Sequence, residues 1–119
     1  MLFTELPLFE RFLAAQKAGF HGVEFLFPYE FAAAEIKHAL DACGLPLVLF
    51  NTPAGDWQKG QRGFAALPDA EHIFSESLKL AMEYAAVLRP LHIHIMSGIA
   101  KGEAARLVLI KNLKAAAKE

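Results

Sequence analysis

The sequence is poor in the features that mark secreted and membrane proteins. Its one cysteine, Cys43, cannot form a disulfide within the chain, which fits a reducing compartment. Cys43 falls on the apolar face of a predicted helix, which favours a structural role over a catalytic one. No apolar run reaches the length of about 18 residues that a membrane span needs, and no basic segment precedes an apolar one at the N-terminus. We therefore expect no membrane partner and a cytoplasmic location.

The sequence also has no marked excess of positive or negative charge. The chain has 12 Lys and Arg residues against 13 Asp and Glu residues, and no basic block, so nucleic acid is not an expected partner. An anionic small molecule stays possible, because a pocket needs only one or two cations. No strand is followed by a glycine-rich turn such as GxGxxG or GxxxxGK[ST], which weighs against a nucleotide-binding sheet.

Hydrophobic residues make up 55% of the 119 residues, enough for a core in a single domain over 1–119. Apolar periodicity and turn-forming residues predict helices near 7–18, from the loop at 29–31 to about 42, near 69–88 and near 102–118. Continuous apolar runs predict strands near 22–27, 46–51 and 91–97. This alternation indicates parallel strands with right-handed crossovers. A small doubly wound sheet and part of a (β/α)8 barrel both fit it.

In such folds the functional site lies at the C-terminal ends of the strands. The segment from 51 to about 68 is longer than most connections and rich in turn-formers, which is typical of functional loops. The strand-end rule selects a set of candidate residues: Glu24, Phe27, Pro28, Tyr29, Asn51, Asp56, Trp57, Arg62, His94, Met96 and Ser97.

Ionisable residues lie inside two of the predicted strands. Glu24 interrupts an apolar strand, where a buried carboxylate needs a cation or hydrogen-bond donors. It fits either a general base with a raised pKa or a structural ion pair. His92 and His94 are spaced i, i+2 and point the same way from their strand. They could hold a metal together, His94 alone could bind substrate or transfer a proton, or both could be core histidines.

Arg62 lies in the long loop between two glycines, Gly60 and Gly63. An arginine fork grips a carboxylate at two points, so Arg62 is either a substrate ligand or a solvated loop cation. Trp57, in the same loop, is either a lid or a cover for the mouth of the fold. No Ser/His/Asp triad and no acidic pair for joint acid–base work can be identified.

These residues resemble those of the hydroxypyruvate isomerase family, within the xylose isomerase-like (β/α)8 barrels. The matching stretches run in order through most of the chain: Phe3-Thr4-Glu5 leading to Pro7, Ala18-Gly19-Phe20, Val23-Glu24-Phe25-Leu26-Phe27-Pro28-Tyr29, Leu49-Phe50-Asn51-Thr52-Pro53-Ala54-Gly55-Asp56-Trp57, Gly60-Gln61-Arg62-Gly63 and His94-Ile95-Met96-Ser97-Gly98.

The resemblance implies a divalent-metal-dependent isomerisation, with Mg²⁺ or Mn²⁺, of a small hydroxy-carbonyl acid. Hydroxypyruvate and tartronate semialdehyde would interconvert by movement of a proton between neighbouring carbons through an enediolate. It further implies that Arg62 binds the substrate carboxylate and that Asn51 and His94 line the pocket. Glu24, selected above from its place in the strand, is a fourth candidate for substrate binding.

Members of the family are about twice as long as this chain. The resemblance therefore implies an N-terminal half-barrel of three to four βα units. The family's catalytic glutamates and metal ligands would lie on later strands, so no catalytic residue and no bound metal are expected here. Two alternatives stay open. The half-barrel could self-associate or pair with a complementary C-terminal half, or the chain could be a non-catalytic binder of small carboxylates. Gln61 stands where the family usually has glutamate.

Overall fold

The computed structural model describes residues 2–119, in which helices and strands alternate along the chain. The order with its bounds is α1 (Leu8–Lys17), β1 (Val23–Glu24), α2 (Ala33–Cys43), β2 (Leu47–Asn51), α3 (Glu71–Leu88), β3 (His92–His94) and α4 (Gly102–Ala116). The fold is α/β with parallel strands, as predicted for part of a (β/α)8 barrel. No helix in 2–119 combines the length and apolarity needed to cross a membrane.

The helices and β2 lie within two or three residues of their predicted bounds, whereas the other two strands are shorter than predicted. β1 covers two residues of the predicted 22–27, and β3 covers three of the predicted 91–97. The predictions of the longer strands were wrong because apolar runs indicate burial and do not define the extent of a hydrogen-bond ladder. The register between β1 and β2 shifts between Val23 and Glu24, which ends the regular pairing.

The three strands form one sheet in the order β1-β2-β3. β1 pairs with β2 in parallel, with Val23 opposite Leu47. β3 runs in the same direction as β2. Leu91 N–H, just before β3, donates to the Leu47 carbonyl at the start of β2 (3.1 Å). Thr52 N–H, just after β2, donates to the His94 carbonyl at the end of β3 (2.9 Å). The carboxyl ends of neighbouring strands therefore lie at one edge of the sheet.

Contacts group the chain into two compact units, whose residues are 2–50 with 84–93, and 51–83 with 94–119. The prediction of a single domain stays a prediction. The core of the first unit is aliphatic and aromatic, and Ile36 and Phe50 are wholly buried in it. Gly44 ends α2 in the left-handed conformation with φ 62°, as its sequence position predicts.

Aromatic rings line the first unit. Phe25 packs on Phe12 of α1 with centroids 5.9 Å apart, and the Tyr29 ring meets Tyr84 edge-on at 5.1 Å. The Tyr84 hydroxyl donates a 2.8 Å hydrogen bond to the Phe31 carbonyl. Burial raises the pKa of Tyr29 far above its ordinary value, and the neighbouring Tyr84 raises it further. The Tyr29 phenol is therefore a neutral packing group at physiological pH.

The second unit has its own core, built on Phe64, Ala65 and Phe74. Asn112 of α4 is buried there, and its side-chain amide donates to the Ala65 carbonyl at 2.9 Å. That bond satisfies a carbonyl near the end of the long loop, so α4 fixes the part of the loop that follows Arg62.

Candidate functional site

Glu24 is exposed in the structure, and the expectation that it would be buried was wrong. The next residue, Phe25, is buried and packs on Phe12 of α1. Glu24 is among the residues that line a cavity of about 390 Å³ between β1 and α1. The cavity lining is mostly apolar, and its cation Arg11 already donates to the Leu6 carbonyl at 2.6 Å. A substrate role for Glu24 stays a prediction.

Asn51 and His94 meet at the ends of β2 and β3. His94 Nδ1 lies 3.1 Å from Asn51 Oδ1, and Asn51 is buried whereas His94 is exposed. An amide oxygen only accepts hydrogen bonds, so Nδ1 is the donor in this contact, and in the neutral imidazole Nε2 then carries the lone pair. The exposed imidazole is thus oriented by a buried amide, with a ring nitrogen able to accept a proton from a ligand hydroxyl.

Thr52, the residue after Asn51, ties the same two strand ends together. Its N–H donates to the His94 carbonyl at 2.9 Å, and its buried hydroxyl accepts the Met96 N–H at 2.9 Å. Sequence reasoning missed this residue, although a threonine at the end of an apolar run is a signal for such a bond. The two bonds fix the backbone that follows His94, on either side of Ile95.

Arg62 is held by its own loop. Its Nη1 donates to the carbonyls of Trp57 (3.0 Å) and Gln61 (2.7 Å). Its guanidinium carbon lies 3.6 Å from the centroid of the Trp57 ring, within the range of a cation–π contact. Besides the two roles considered from the sequence, a lid or a cover for the mouth of the fold, Trp57 therefore has a third possible role. Its indole supports one face of the Arg62 guanidinium.

The loop around Arg62 is cross-linked by Gln61. Its side-chain oxygen accepts the Asp56 N–H at 2.6 Å, and its own N–H donates to the Asp56 carbonyl at 3.0 Å. Gly55 turns the chain with φ 82°, and a Cβ there would collide with the Gln61 side chain. A glutamine amide supplies this acceptor without a charge beside the Asp56 carboxylate.

Lys59 holds the pKa of the Asp56 carboxyl below its usual value, through the side-chain bond first and the Lys59 backbone N–H second. The Lys59 ammonium lies 2.9 Å from Asp56 Oδ2.

We expect Lys59→Met to return the Asp56 pKa towards that of a free aspartate, observed by carboxyl ¹³C NMR titration. Because the folded pKa is depressed, the carboxylate contributes to stability above the unfolded pKa and stops contributing as pH falls through the folded one. An unchanged Asp56 titration in the variant would contradict this cause.

The candidates differ in how far the structure brings them together. Asn51 and His94 are in direct contact, and Arg62 is linked to the segment after β3 through its backbone, where its carbonyl accepts the Gly98 N–H at 2.9 Å. Gly63 forms an antiparallel bridge with Ser97 of the same segment. The long loop and the end of β3 therefore form one backbone assembly, within the second unit, that carries all three side chains.

The side chains of residues 2–119 do not fit a divalent metal. No group of three His, Cys, Asp or Glu side chains in that range converges as a metal site. Mg²⁺ and Mn²⁺ favour several oxygen ligands, and the Asn51 oxygen that faces His94 is engaged by Nδ1. The metal that the sequence resemblance implies would need ligands beyond those gathered here, and no step of the chemistry is assigned to it.

Residues 12–119 match the family model described as xylose isomerase-like TIM barrel. A 2-oxo-tetronate isomerase of Haemophilus influenzae is 47% identical over 118 residues, covering 96% of this chain and 46% of its own length. A hydroxypyruvate isomerase of Escherichia coli K12 is 39% identical, covering 98% of this chain and 47% of its own length. The chain thus spans about half the length of the curated relatives it matches.

A solved structure shares the fold. The crystal structure titled AP endonuclease, family 2 from Brucella melitensis superposes with a TM-score of 0.93 at 44% sequence identity. The match covers 98% of this chain and 46% of the other. Agreement over nearly all of this chain supports the partial-barrel assignment and the strand ends from which the site was built.

Proposed function

We propose that this chain, which belongs to the xylose isomerase-like TIM-barrel family, serves the isomerisation of a small hydroxy-carbonyl acid. The substrate type is that of hydroxypyruvate and tartronate semialdehyde. The observation that carries the proposal is the oriented Asn51–His94 pair at adjoining strand ends (3.1 Å). Its support comes from relatives, 39% and 47% identical, that are named as isomerases of such acids.

The residues would divide the work by their chemistry. The reaction moves one proton from the carbon that bears the hydroxyl to the neighbouring carbonyl carbon, through an enediolate. Arg62 would hold the carboxylate, which takes no part in the bond changes, and so fix the two reacting carbons. His94, oriented by Asn51, would exchange a proton with a substrate oxygen through Nε2 as the enediolate forms and collapses. The group that moves the carbon-bound proton is not assigned to a residue of this chain.

A second candidate is a barrel assembled from two chains, either two copies of this one or this one with a complementary half. It is supported by the sheet order, which leaves β1 and β3 as outer strands, and by relatives of which the chain covers 46–47%. A third candidate, a non-catalytic binder of small carboxylates, would use Arg62 and His94 alone.

An isomerisation assay separates these candidates. Carbon-13-labelled hydroxypyruvate is followed by NMR in the presence of Mg²⁺ or Mn²⁺, with this chain alone and with the separately produced remainder of the Haemophilus influenzae relative. We expect turnover in at least the mixture, with kcat/KM lowered about tenfold by Arg62→Ala, since a charged hydrogen-bond partner of the substrate is lost. Arg106→Ala, at an exposed arginine paired with Glu103, is the matched control and should change nothing.

The other outcomes are informative. Turnover by the mixture but not by the chain alone favours the two-chain barrel, and sedimentation analysis shows whether a complex forms. Carboxylate binding without turnover in either sample favours the binder. If kcat/KM is unchanged in both Arg62→Ala and His94→Gln, the proposed site is wrong.

A further inference from the structure

The Arg62 guanidinium has one face and one nitrogen engaged. The Trp57 ring covers the face at 3.6 Å, and Nη1 donates to the Trp57 and Gln61 carbonyls. The hydrogen bonds found within residues 2–119 use neither Nε nor Nη2 of this side chain. These two nitrogens form the side edge of the guanidinium, whose parallel N–H groups match the two oxygens of a carboxylate.

The same edge of another arginine shows what it binds. Arg106 Nε lies 2.8 Å from Glu103 Oε2, and its Nη2 lies 2.6 Å from Glu103 Oε1. That side-on pair is the two-point geometry expected for an arginine and a carboxylate. Arg62 differs in that its own loop occupies Nη1 and leaves the side edge for a group from outside the loop.

No carboxylate of the long loop forms an ion pair with Arg62 among the described residues. Asp56, the nearest acidic residue in sequence, is paired with Lys59 at 2.9 Å. The loop thus neutralises its own acid with a separate cation. A planar cation held over an indole, with its side edge unengaged by the loop, is suited to a small anion with a planar carboxylate.

We infer that Arg62 binds the substrate carboxylate side-on through Nε and Nη2, and that Trp57 is the positioning residue that holds this edge in place. The inference rests on the proposed function and specifies which atoms take the carboxylate. Trp57 contributes twice, because its ring supports the guanidinium and its carbonyl accepts from Nη1. A positioned fork loses less side-chain freedom on binding than a solvated arginine does.

The Gln61 cross-link keeps Trp57 and Arg62 together. It joins Asp56 to Gln61 through a backbone bond and a side-chain bond, and Trp57 lies between them in sequence. The guanidinium therefore stacks on a residue whose backbone is fixed at both ends of a short turn. The carboxylate would lie in the plane of the guanidinium.

The test follows the Arg62 Nε–Hε signal in ¹⁵N NMR while tartronate, a stable three-carbon hydroxy acid, is titrated into the full chain. We expect a downfield shift of Hε, together with a change in the fluorescence of Trp57, the one tryptophan in the sequence. Arg62→Lys keeps the charge and loses the fork, and should weaken tartronate about tenfold. Trp57→Leu should weaken it about threefold through the lost cation–π contact, and Trp57→Phe should restore most of that loss.

Trp57 is exposed, so neither substitution is expected to unfold the chain, which circular dichroism checks. Arg106→Lys is the control for a general loss of arginine and should bind as the wild type does. Tartronate binding that leaves the Nε–Hε signal in place, or no shift at any tartronate concentration, overturns the inference. Equal affinity in Trp57→Leu and the wild type removes the role of Trp57.

The isomerisation assay distinguishes this inference from the function on which it rests. A shifted Nε–Hε signal with no turnover leaves the carboxylate site standing and defeats the isomerase proposal. Turnover with an unmoved Nε–Hε signal does the reverse, since the substrate would then be held by other atoms.

Discussion

Replacing Gly63 by alanine is expected to prevent the second unit from folding. Gly63 has φ 101°, in the left-handed region that side chains rarely adopt. A Cβ at this position would overlap the carbonyl group and Cβ of Met96. The obstacle is backbone, which cannot rotate away as a side chain can, so the two segments would have to separate.

The loss would be large because Gly63 lies within several hydrogen bonds. Its N–H donates to the Ala54 carbonyl at 2.9 Å, and the next residue, Phe64, donates to the Met96 carbonyl at 3.1 Å. Left-handed strain alone costs about 1–2 kcal/mol. Separation of the segments would add buried groups without partners at about 1–3 kcal/mol each. A total above about 4 kcal/mol is a large share of the stability of a small domain.

Gly60→Ala provides the matched control. Gly60 also has a left-handed φ of 84°, but a Cβ there meets no heavy atom within 4 Å. It should cost only the conformational strain, about 1–2 kcal/mol. Urea unfolding followed by circular dichroism compares the two variants with the wild type. Equal losses in both would mean that Gly63 and Met96 do not approach each other as closely as the structure has them.

The fold was predictable because its signals are local. Apolar periodicity, Gly44 after α2 and the turn-formers after Asn51 together locate the helices and the long loop. The lengths of β1 and β3 were not predictable, because they depend on which backbone groups meet across the sheet. The exposure of Glu24 was not predictable either, because it depends on which distant segments pack beside β1.

In the candidate site, too, the local features could be predicted from the sequence and the contacts between distant residues could not. Arg62 and His94 could be selected from residue type and strand-end position. The bond between His94 and Asn51 could not, since it joins residues 43 positions apart. The stack of Arg62 on Trp57 was equally hidden, because a loop sequence does not reveal which of its side chains meet. Thr52 gave a residue-level signal, and only the structure shows that its hydroxyl bonds across the strands.

Thr52→Val is expected to weaken the strand-end assembly by about 2–3 kcal/mol. Valine keeps the shape of threonine and removes the acceptor of the Met96 N–H, a 2.9 Å bond. Thr52 is only 1% exposed, so water does not replace the lost oxygen. The amide of Met96 would be left without its partner beside His94.

Thr52→Ser separates the hydroxyl from the methyl group. Serine keeps the acceptor and loses one buried methyl, which costs about 1 kcal/mol. We therefore expect the stability order wild type, serine, valine in urea unfolding. Hydrogen exchange should show a faster Met96 amide in the valine variant and a nearly unchanged one in the serine variant. Valine at or above the stability of serine would mean that the methyl group, and not the bond to Met96, holds Thr52 between the strand ends.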